Sequence, residues 1–120
     1  MRVTIDVPAT RATFEALLDG LVAVNVALMR TRSQLPPLYA SGVRYRRERG
    51  TERWQTCEQV FSARVGDCED LAAWRVAELH QAGEVDAAPI VTRTGRKLWH
   101  VRVRRADGTI EDPSRILGME

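Results

Sequence analysis

The sequence is poor in cysteine and histidine, and this scarcity limits the chemistry open to it. It has two residues of each type among 120. Cys57 and Cys68 form no CxxC pair, and no cysteine and histidine stand at the spacing of a zinc site. Neither a disulfide framework nor a structural metal is therefore indicated. We expect reduced thiols, no metal and no cofactor.

Long apolar runs and lysine are also scarce. No stretch approaches the roughly 18–20 consecutive apolar residues that span a bilayer, and Met1–Val7 lacks the apolar region of a signal peptide. We therefore expect a cytoplasmic protein with no membrane partner. Lys97 is the one lysine among 18 basic residues, and the net charge is only +2.

The arginines are densest just before the middle of the chain. The cluster consists of Arg44, Arg46, Arg47, Arg49 and Arg53, with Tyr45 and Trp54 beside them. Arginines near an aromatic ring can bind phosphates. Glu48 and Glu52 interrupt the run, however, which favours a solvated strand edge and loop. We expect no nucleic-acid partner.

The spacing of apolar residues predicts helices in the first two-thirds of the chain. The composition, with 44% hydrophobic and 28% charged residues, fits one globular domain. Helical spacing from Ala9 to Arg32 predicts a long amphipathic helix, and a second helix runs from Cys68 to a C-cap near Gly83. Thr56, with a glutamine three residues later, matches the capping box of a short helix between them.

The last third changes to the alternation of strands. Strands are predicted at Met1–Val7, Val43–Arg47, Ala87–Thr92, Leu98–Arg104 and Thr109–Asp112. The fold class is therefore α+β, with the long N-terminal helix and the cysteine-bearing helix packed on a small antiparallel sheet. Residues 1–55 are expected to form a helical extension of a core at residues 56–120.

Cys68 occupies the first turn of a predicted helix, a position that activates thiols. The first N–H groups of a helix are unpaired and its dipole is positive there, so the thiol pKa of about 8.5 can fall. The three carboxylates around Cys68 oppose a thiolate, and a protonated His100 would reverse that balance. His100 on a strand and Asp112 after a turn complete the residue types of a nucleophilic triad.

The turn between the last two strands decides whether His100 and Asp112 can meet. A two-residue type I′ turn would place them on opposite faces of the hairpin. A type I turn with a G1 bulge, with Gly108 left-handed, would pair Arg105 with Thr109 and make the two side chains diagonal neighbours on one face. We predict the bulged turn.

Each triad member has a structural alternative that the sequence leaves open. Cys68 could be a small buried hydrophobe, which is the role we expect for Cys57. His100 could be an ordinary strand residue. Asp112 followed by Pro113 is also typical of the N-cap and first residue of a helix.

His100 lies on the polar side of its strand. Arg102 shares that side, whereas the intervening valine belongs to the apolar side. We expect His100 to border an open cleft, with Arg102 paired with Asp70 or Glu69.

Acyl chemistry also requires a donor for the developing oxyanion. By position, the first candidate is the backbone N–H of Cys68. The side chains of Gln59, Gln55 and Trp54 are further candidates. Trp99, beside the histidine, would either cover the cleft or fill the core, and we expect the core.

Three segments together resemble the transglutaminase-like branch of the papain-like cysteine enzyme superfamily. They are Gly66–Ala72 opening a helix, Trp99–Val101 on a strand and Glu111–Pro113 on the next strand. The resemblance covers Cys57–Leu117, although no aromatic residue follows the cysteine as it does in the commoner proteases. It implies a transglutaminase-like fold and a cysteine enzyme that transfers or hydrolyses an amide through a thioester.

Under this resemblance Cys68 is the nucleophile, His100 the general base and acid, and Asp112 the residue that orients His100. The chain is also similar to small transglutaminase-like proteins encoded by phages. That similarity implies either an enzyme acting on a protein or peptide amide, or a non-catalytic virion or assembly protein that retains the fold. Phage structural proteins would then be partners, in the host cytosol or in the virion. We expect the enzyme.

Overall fold

The predicted N-terminal helix is present as α1 (Arg11–Thr31). Its buried residues recur at the three- and four-residue spacing of one helix face: Phe14, Leu18, Leu21, Val22 and Asn25. This face packs against the central helix α3 (Cys68–Gln81) and the strand β5 (Ala88–Gly95). The N-terminal segment therefore covers the sheet and belongs to the core.

The computed structural model describes residues 3–4, 11–31, 34–47, 53–95 and 98–120. Most of the strand predicted over Met1–Val7, the two ends of the helix predicted over Ala9–Arg32 and part of the arginine cluster lie outside these residues. Within the described ranges the molecule is compact, with extents of 37 × 31 × 27 Å.

The hydropathy of helix α1 differs from the expectation that no segment is long and apolar enough to span a bilayer. Over an 18-residue window its mean hydropathy is 1.6, so by length and composition it could cross a membrane. Counting uninterrupted apolar residues missed this property because Asp19, Gly20 and Asn25 break the run. In the structure 28% of that window is buried inside the molecule, on the face that packs against α3 and β5.

Helix α2 (Cys57–Ala63) begins at the predicted capping box. The Gln59 N–H donates to Thr56 Oγ1 at 3.3 Å, and the Thr56 N–H donates to Gln59 Oε1 at 3.0 Å. The helix is tied to α1 because the Cys57 N–H donates to the Asn25 carboxamide oxygen at 2.9 Å. Cys57 is fully buried, as predicted.

The main sheet is antiparallel, with β5, β6 (Leu98–Arg104) and β7 (Ile110–Glu111) as neighbours in that order. A short helix, α4 (Pro113–Ile116), follows it. The remaining strands form two small pairs: β1 (Val3–Thr4) with β3 (Arg53–Trp54), and β2 (Arg44–Tyr45) with β4 (Val65–Gly66). The α+β class is confirmed, and this arrangement brings β6 beside the N-terminus of α3.

Helix α3 is the centre of the molecule because it is buried on nearly every side. Ala72, Ala73 and Val76 belong to the cluster shared with α1 and the sheet, whereas Leu71 and Trp74 belong to the cluster shared with α2 and the 3₁₀ helix Leu38–Ala40. Its first residue, Cys68, is buried in the first of these clusters.

Candidate active site

The turn between β6 and β7 has the predicted bulged geometry. The Arg105 N–H donates to the Thr109 carbonyl at 2.8 Å, the Gly108 N–H donates to the Arg105 carbonyl at 2.9 Å, and Gly108 has a φ of +90°. Val103 pairs with Glu111, which is the register of a type I turn with a G1 bulge. The prediction for this turn is confirmed.

His100 and Asp112 meet as this register requires. His100 Nε2 lies 2.8 Å from Asp112 Oδ2, and the two side chains are 15% and 17% exposed. A carboxylate at Nε2 keeps the proton of a neutral imidazole on that nitrogen. The other nitrogen, Nδ1, then carries the lone pair and can act as a base.

Asp112 has both of the roles between which the sequence could not decide. While Oδ2 contacts His100, Oδ1 accepts from the Arg115 N–H at 3.3 Å and caps α4, with Pro113 at the first helical position. Each oxygen of the carboxylate has its own partner. The helix cap therefore fixes the orientation of the carboxylate toward the imidazole.

The Cys68 thiol lies against β6 on both sides of His100. Its sulfur is 3.9 Å from the Trp99 carbonyl oxygen, and the backbone N–H of Val101 also hydrogen-bonds the sulfur. The third partner is Glu69, whose Oε2 is 3.3 Å from the sulfur. The thiol is thus adjacent to the strand that carries His100, but its hydrogen-bond partners among the described residues do not include the imidazole.

Burial raises the pKa of Cys68 well above its ordinary value, and the negative charges of Glu69 and Asp67 raise it further. The N–H of Val101 acts in the opposite direction without reversing the shift. The opposition of the carboxylates that the sequence indicates is therefore present, and desolvation adds to it, so the surroundings of Cys68 favour the neutral thiol. Burial also raises the pKa of Cys57 to about 11.

The backbone N–H of Cys68 is not available as an oxyanion donor in this structure. It donates to Asp67 Oδ1 at 2.7 Å, and the Asp67 N–H donates to Asp70 Oδ2 at 3.2 Å. The second bond belongs to the capping box of α3, in which the Asp70 N–H also donates to the Asp67 side chain. The first donor predicted from the sequence is thus already occupied by a residue of the helix cap.

The remaining predicted donors lie in different places. The Gln59 side chain is held at the start of α2, where its carboxamide oxygen accepts a hydrogen bond in the capping box. Trp54 is 3% exposed, packs on Phe14 at 5.1 Å between ring centroids, and belongs to the same buried cluster as Cys68. Its indole Nε1 is buried without a hydrogen-bond partner, which leaves a donor unused in that cluster.

Trp99 lies at the edge of the core, in agreement with the preferred interpretation. It is partly buried against the cluster that contains Cys68 and stacks on Phe14 with 6.0 Å between ring centroids. The Arg93 guanidinium lies over the ring at 5.7 Å from its centroid. Trp99 thus holds α1 against β6 next to His100.

The predicted ion pair of Arg102 is absent among the described residues. Asp70 instead accepts from the Gln55 N–H at 2.8 Å and from a second backbone N–H, while Glu69 faces the thiol. Arg102 Nε is buried and has no hydrogen-bond partner. The prediction failed because the helix cap and the thiol already use both carboxylates.

Three side chains at the start of α3 could contribute ligands to a metal. One donor atom each of Asp67, Cys68 and Glu69 lies within 4.8 Å of the others. Asp67 already accepts from the Cys68 N–H, and Glu69 already faces the thiol. The three donor atoms are therefore close together because Asp67 caps the helix and Glu69 contacts the thiol.

Sequence reasoning missed the residues that hold β7 in place. Arg75 Nε on α3 lies 2.5 Å from Glu111 Oε2, Arg105 lies 3.1 Å from Glu111 Oε1, and the Tyr39 hydroxyl donates to Glu111. Because Glu111 immediately precedes Asp112, this network fixes the strand end that presents the orienting carboxylate. Tyr39 is 72 positions away from Glu111, so no local pattern could have indicated the contact.

A cleft of about 630 Å³ opens beside the helix cap. Its lining residues are Arg46, Arg47, Gln55, Val65, Gly66, Asp67 and Asp70. The sequence predicts a cleft bordered by His100. This cleft instead lies beside the cap of α3, and its lining residues include neither His100 nor Cys68. Asp67 links the cleft to Cys68, because it lines the cleft and also accepts from the Cys68 N–H.

Comparisons with protein-family models, with curated proteins and with solved structures gave no match. The assignment of a function therefore rests on the geometry of the site.

Proposed function

We propose that the chain is a cysteine-dependent enzyme of the transglutaminase-like type, which transfers or hydrolyses an amide through a thioester. In this proposal Cys68 is the nucleophile, His100 the general base and acid, and Asp112 the residue that orients His100. The observation that carries this proposal is the 2.8 Å contact of His100 Nε2 with Asp112. The Cys68 thiol lies beside this contact, against the backbone of the residues that precede and follow His100.

The neutral thiol requires that proton transfer accompany attack. As the Cys68 sulfur forms a bond to the amide carbonyl carbon, its proton moves to His100 Nδ1, and Asp112 stabilises the resulting imidazolium. The C–N bond then breaks, the proton passes from His100 to the departing nitrogen, and a thioester remains. Such a mechanism does not need a preformed thiolate, which agrees with the raised pKa of Cys68.

The second half of the reaction uses the same groups in reverse order. Water or an amine attacks the thioester carbonyl and gives its proton to His100, and the C–S bond then breaks. His100 returns the proton to the Cys68 sulfur. Water yields hydrolysis, and an amine yields acyl transfer.

The proposed cycle requires a small movement of the thiol or the imidazole. At rest the sulfur contacts Glu69 at 3.3 Å. Catalytic hydrogen bonds are often long before substrate binds and shorten in the complex. Substrate entering beside Glu69 would displace the sulfur toward Nδ1 of His100.

Trp54 is the proposed donor to the oxyanion. Its indole N–H is buried and unpaired in the cluster that contains Cys68, and an unused buried donor is costly unless a ligand completes it. Replacing Trp54 with phenylalanine should lower kcat by about a hundredfold, the usual effect of losing one such donor. Phenylalanine is smaller than tryptophan and leaves a cavity, so urea unfolding has to show that the variant is folded under the assay conditions.

The second candidate is a non-catalytic virion or assembly protein with the same fold. The observation that favours it is the Cys68 thiol itself, which is 7% exposed, has a raised pKa and has its own N–H occupied. Phage structural proteins would be the partners of such a protein, in the host cytosol or the virion. For the enzyme, the proposed location is the cytoplasm and the proposed substrate a protein or peptide amide.

Two generic substrates test the enzyme directly. Dimethylcasein with a fluorescent primary amine reports transfer, and mass spectrometry of glutamine peptides reports hydrolysis. We expect product with the wild type and with Cys57→Ala, and none with Cys68→Ala or His100→Gln. Product that persists in Cys68→Ala would refute the proposed nucleophile, and the absence of product from all proteins would favour the second candidate.

A further inference from the structure

The cleft beside the helix cap has features of a binding site for an acidic peptide. We propose that it binds carboxylate side chains of the peptide on which Cys68 acts, through Arg46 and Arg47, and a peptide N–H through Gln55. This inference rests on the proposed function in one respect only, namely that the bound peptide is the substrate. The binding itself requires no chemistry at Cys68.

The two arginines supply the positive charge. Arg46 and Arg47 follow β2, line the cleft and are exposed. Within the described part of the chain neither has an ion-pair partner, in contrast to Arg75 and Arg105, which both contact Glu111. Guanidinium groups without an internal partner are free to form paired hydrogen bonds with an incoming carboxylate.

Gln55 supplies an acceptor inside the cleft. Its Oε1 is buried and has no hydrogen-bond partner, although its backbone N–H is held by Asp70 at 2.8 Å. Buried polar atoms are nearly always paired, so an unpaired acceptor in a cleft indicates a missing donor. The backbone N–H of an extended peptide is a donor of the required kind.

Gly66 presents backbone to the cleft. A Cβ added at Gly66 would lie 3.1 Å from Leu71 and 3.2 Å from Val60, which are both buried in the core. The cleft volume of about 630 Å³ lies within the range of about 300–1,000 Å³ that small-ligand sites occupy. A short peptide segment can lie directly along β4.

The carboxylates of the cleft favour a peptide over a nucleic acid. Asp67 and Asp70 line it together with the arginines, and a phosphate backbone would bring one further negative charge per nucleotide against them. An acidic peptide can place two carboxylates at the arginines and uncharged backbone over the aspartates. The pattern of two cations, one acceptor and two anions therefore suits a peptide with spaced acidic residues.

Binding is tested with the Cys68→Ala protein, so that no turnover interferes. The probes are three fluorescent peptides of one length: Gly-Glu-Gln-Glu-Gly and two versions with the glutamates replaced by glutamine or by lysine. Anisotropy should show the order Glu above Gln above Lys. The double variant Arg46→Gln/Arg47→Gln should weaken binding of the glutamate peptide by about tenfold or more, and binding of the glutamine peptide by less.

The matched control is Arg30→Gln/Arg104→Gln, which removes the same charge from exposed positions outside the cleft. It should change affinity less than about twofold, because distant exposed charges are screened by salt. Gln55→Leu should weaken the glutamate and glutamine peptides equally. Circular dichroism of each variant confirms the fold before binding is measured.

The proposal is overturned if the three peptides bind equally, if the control variant weakens binding as much as the cleft variant, or if an oligonucleotide displaces the acidic peptide and binds more tightly. Binding in the predicted order without turnover by the wild type would support the cleft and remove the proposed enzyme. Turnover of the glutamate peptide that Arg46→Gln/Arg47→Gln leaves unchanged would support the enzyme and remove the acidic-peptide cleft.

Discussion

At the scale of single residues, Asp112 shows how one side chain can serve both folding and chemistry. One oxygen contacts His100 at 2.8 Å and the other caps α4 at 3.3 Å. The sequence indicated both uses and could not choose, since each depends on contacts that only the folded hairpin provides. Because the two uses involve different oxygens, two substitutions can separate them.

Asp112→Asn and Asp112→Ala should differ in stability but not in activity. Asparagine is an equally good N-cap, so Asp112→Asn should cost only a few tenths of a kcal/mol, whereas Asp112→Ala should cost about 1 kcal/mol. Both remove the charge that stabilises the imidazolium, so both should lower turnover by about three to four orders of magnitude. Urea unfolding and the amide assays measure the two effects. An active Asp112→Asn would show that the contact with His100 is only structural.

Glu111 is the residue whose importance the sequence concealed. Hydrogen bonds from Arg75 and Tyr39 hold the pKa of Glu111 below its ordinary value, although burial opposes them. A carboxyl group whose pKa is lowered on folding stabilises the protein above the unfolded pKa of about 4.3, and this contribution is lost as the pH falls through the folded pKa.

Glu111→Gln should therefore lower the free energy of unfolding by about 1–3 kcal/mol at pH 7, since it leaves Arg75 without its ionised acceptor. The difference from wild type should shrink below about pH 4. Glu15→Gln is the control, because its exposed pair with Arg11 should contribute less than about 1 kcal/mol. Equal losses in the two variants at pH 7 would contradict the role given to Glu111.

At the scale of elements, long periodic segments and short segments with a local signal were predictable, whereas the pairing of short strands was not. The spacing of apolar residues indicated α1, α3, β5 and β6 because each repeats its pattern over several turns or pairs. The two-residue strands β2 and β4 carry no period at all, so their parallel pairing could not be read from the sequence. The cleft lies beside this pairing, which is why its full lining was not foreseen.

In the candidate site, too, features set by neighbouring residues in the sequence were predicted, and features set by distant residues were not. Thr56 with Gln59 and the left-handed Gly108 are local signals, and both were predicted correctly. Two features depend on competition among several charged groups: the Cys68 N–H donates to Asp67, and Arg102 Nε lacks a hydrogen-bond partner among the described residues. Sequence spacing does not rank such competitors, because burial and angle decide which bond forms.

The turn at Gly108 offers a test at this scale. Gly108→Ala meets no atom within 4 Å of the added Cβ, so its cost is only the left-handed conformation, about 1–2 kcal/mol. Gly20→Ala, also in open space but within α1, should instead stabilise by about 0.5–1 kcal/mol. Opposite signs in thermal unfolding would support the bulged turn, and a neutral Gly108→Ala would contradict it.

At the scale of the whole molecule, the buried thiols link stability to alkaline pH. Folding raises the pKa of both cysteines, so the unfolded chain loses thiol protons first, near pH 8.5. The stabilising contribution is complete below that value and is lost as the pH rises toward the folded pKa.

The free energy of unfolding should therefore fall above about pH 8.5, by up to about 1.4 kcal/mol per pH unit for each thiol. Cys68→Ala should reduce this slope between pH 8.5 and 9.5, measured by urea unfolding. Cys57→Ala provides the comparison, since its thiol lies away from His100. An unchanged slope in Cys68→Ala would indicate that Cys68 is already a thiolate paired with an imidazolium, contrary to the neutral thiol described above.

The central claim is that His100 accepts the proton of Cys68, and thiol alkylation measures this most directly. Iodoacetamide labelling between pH 5.5 and 8, followed for each cysteine by peptide mass, compares wild type with His100→Gln. The account predicts that Cys68 reacts at least about tenfold faster than Cys57 in the wild type and loses that advantage in His100→Gln. Equal rates for the two cysteines, or a Cys68 rate that His100→Gln leaves unchanged, would contradict it.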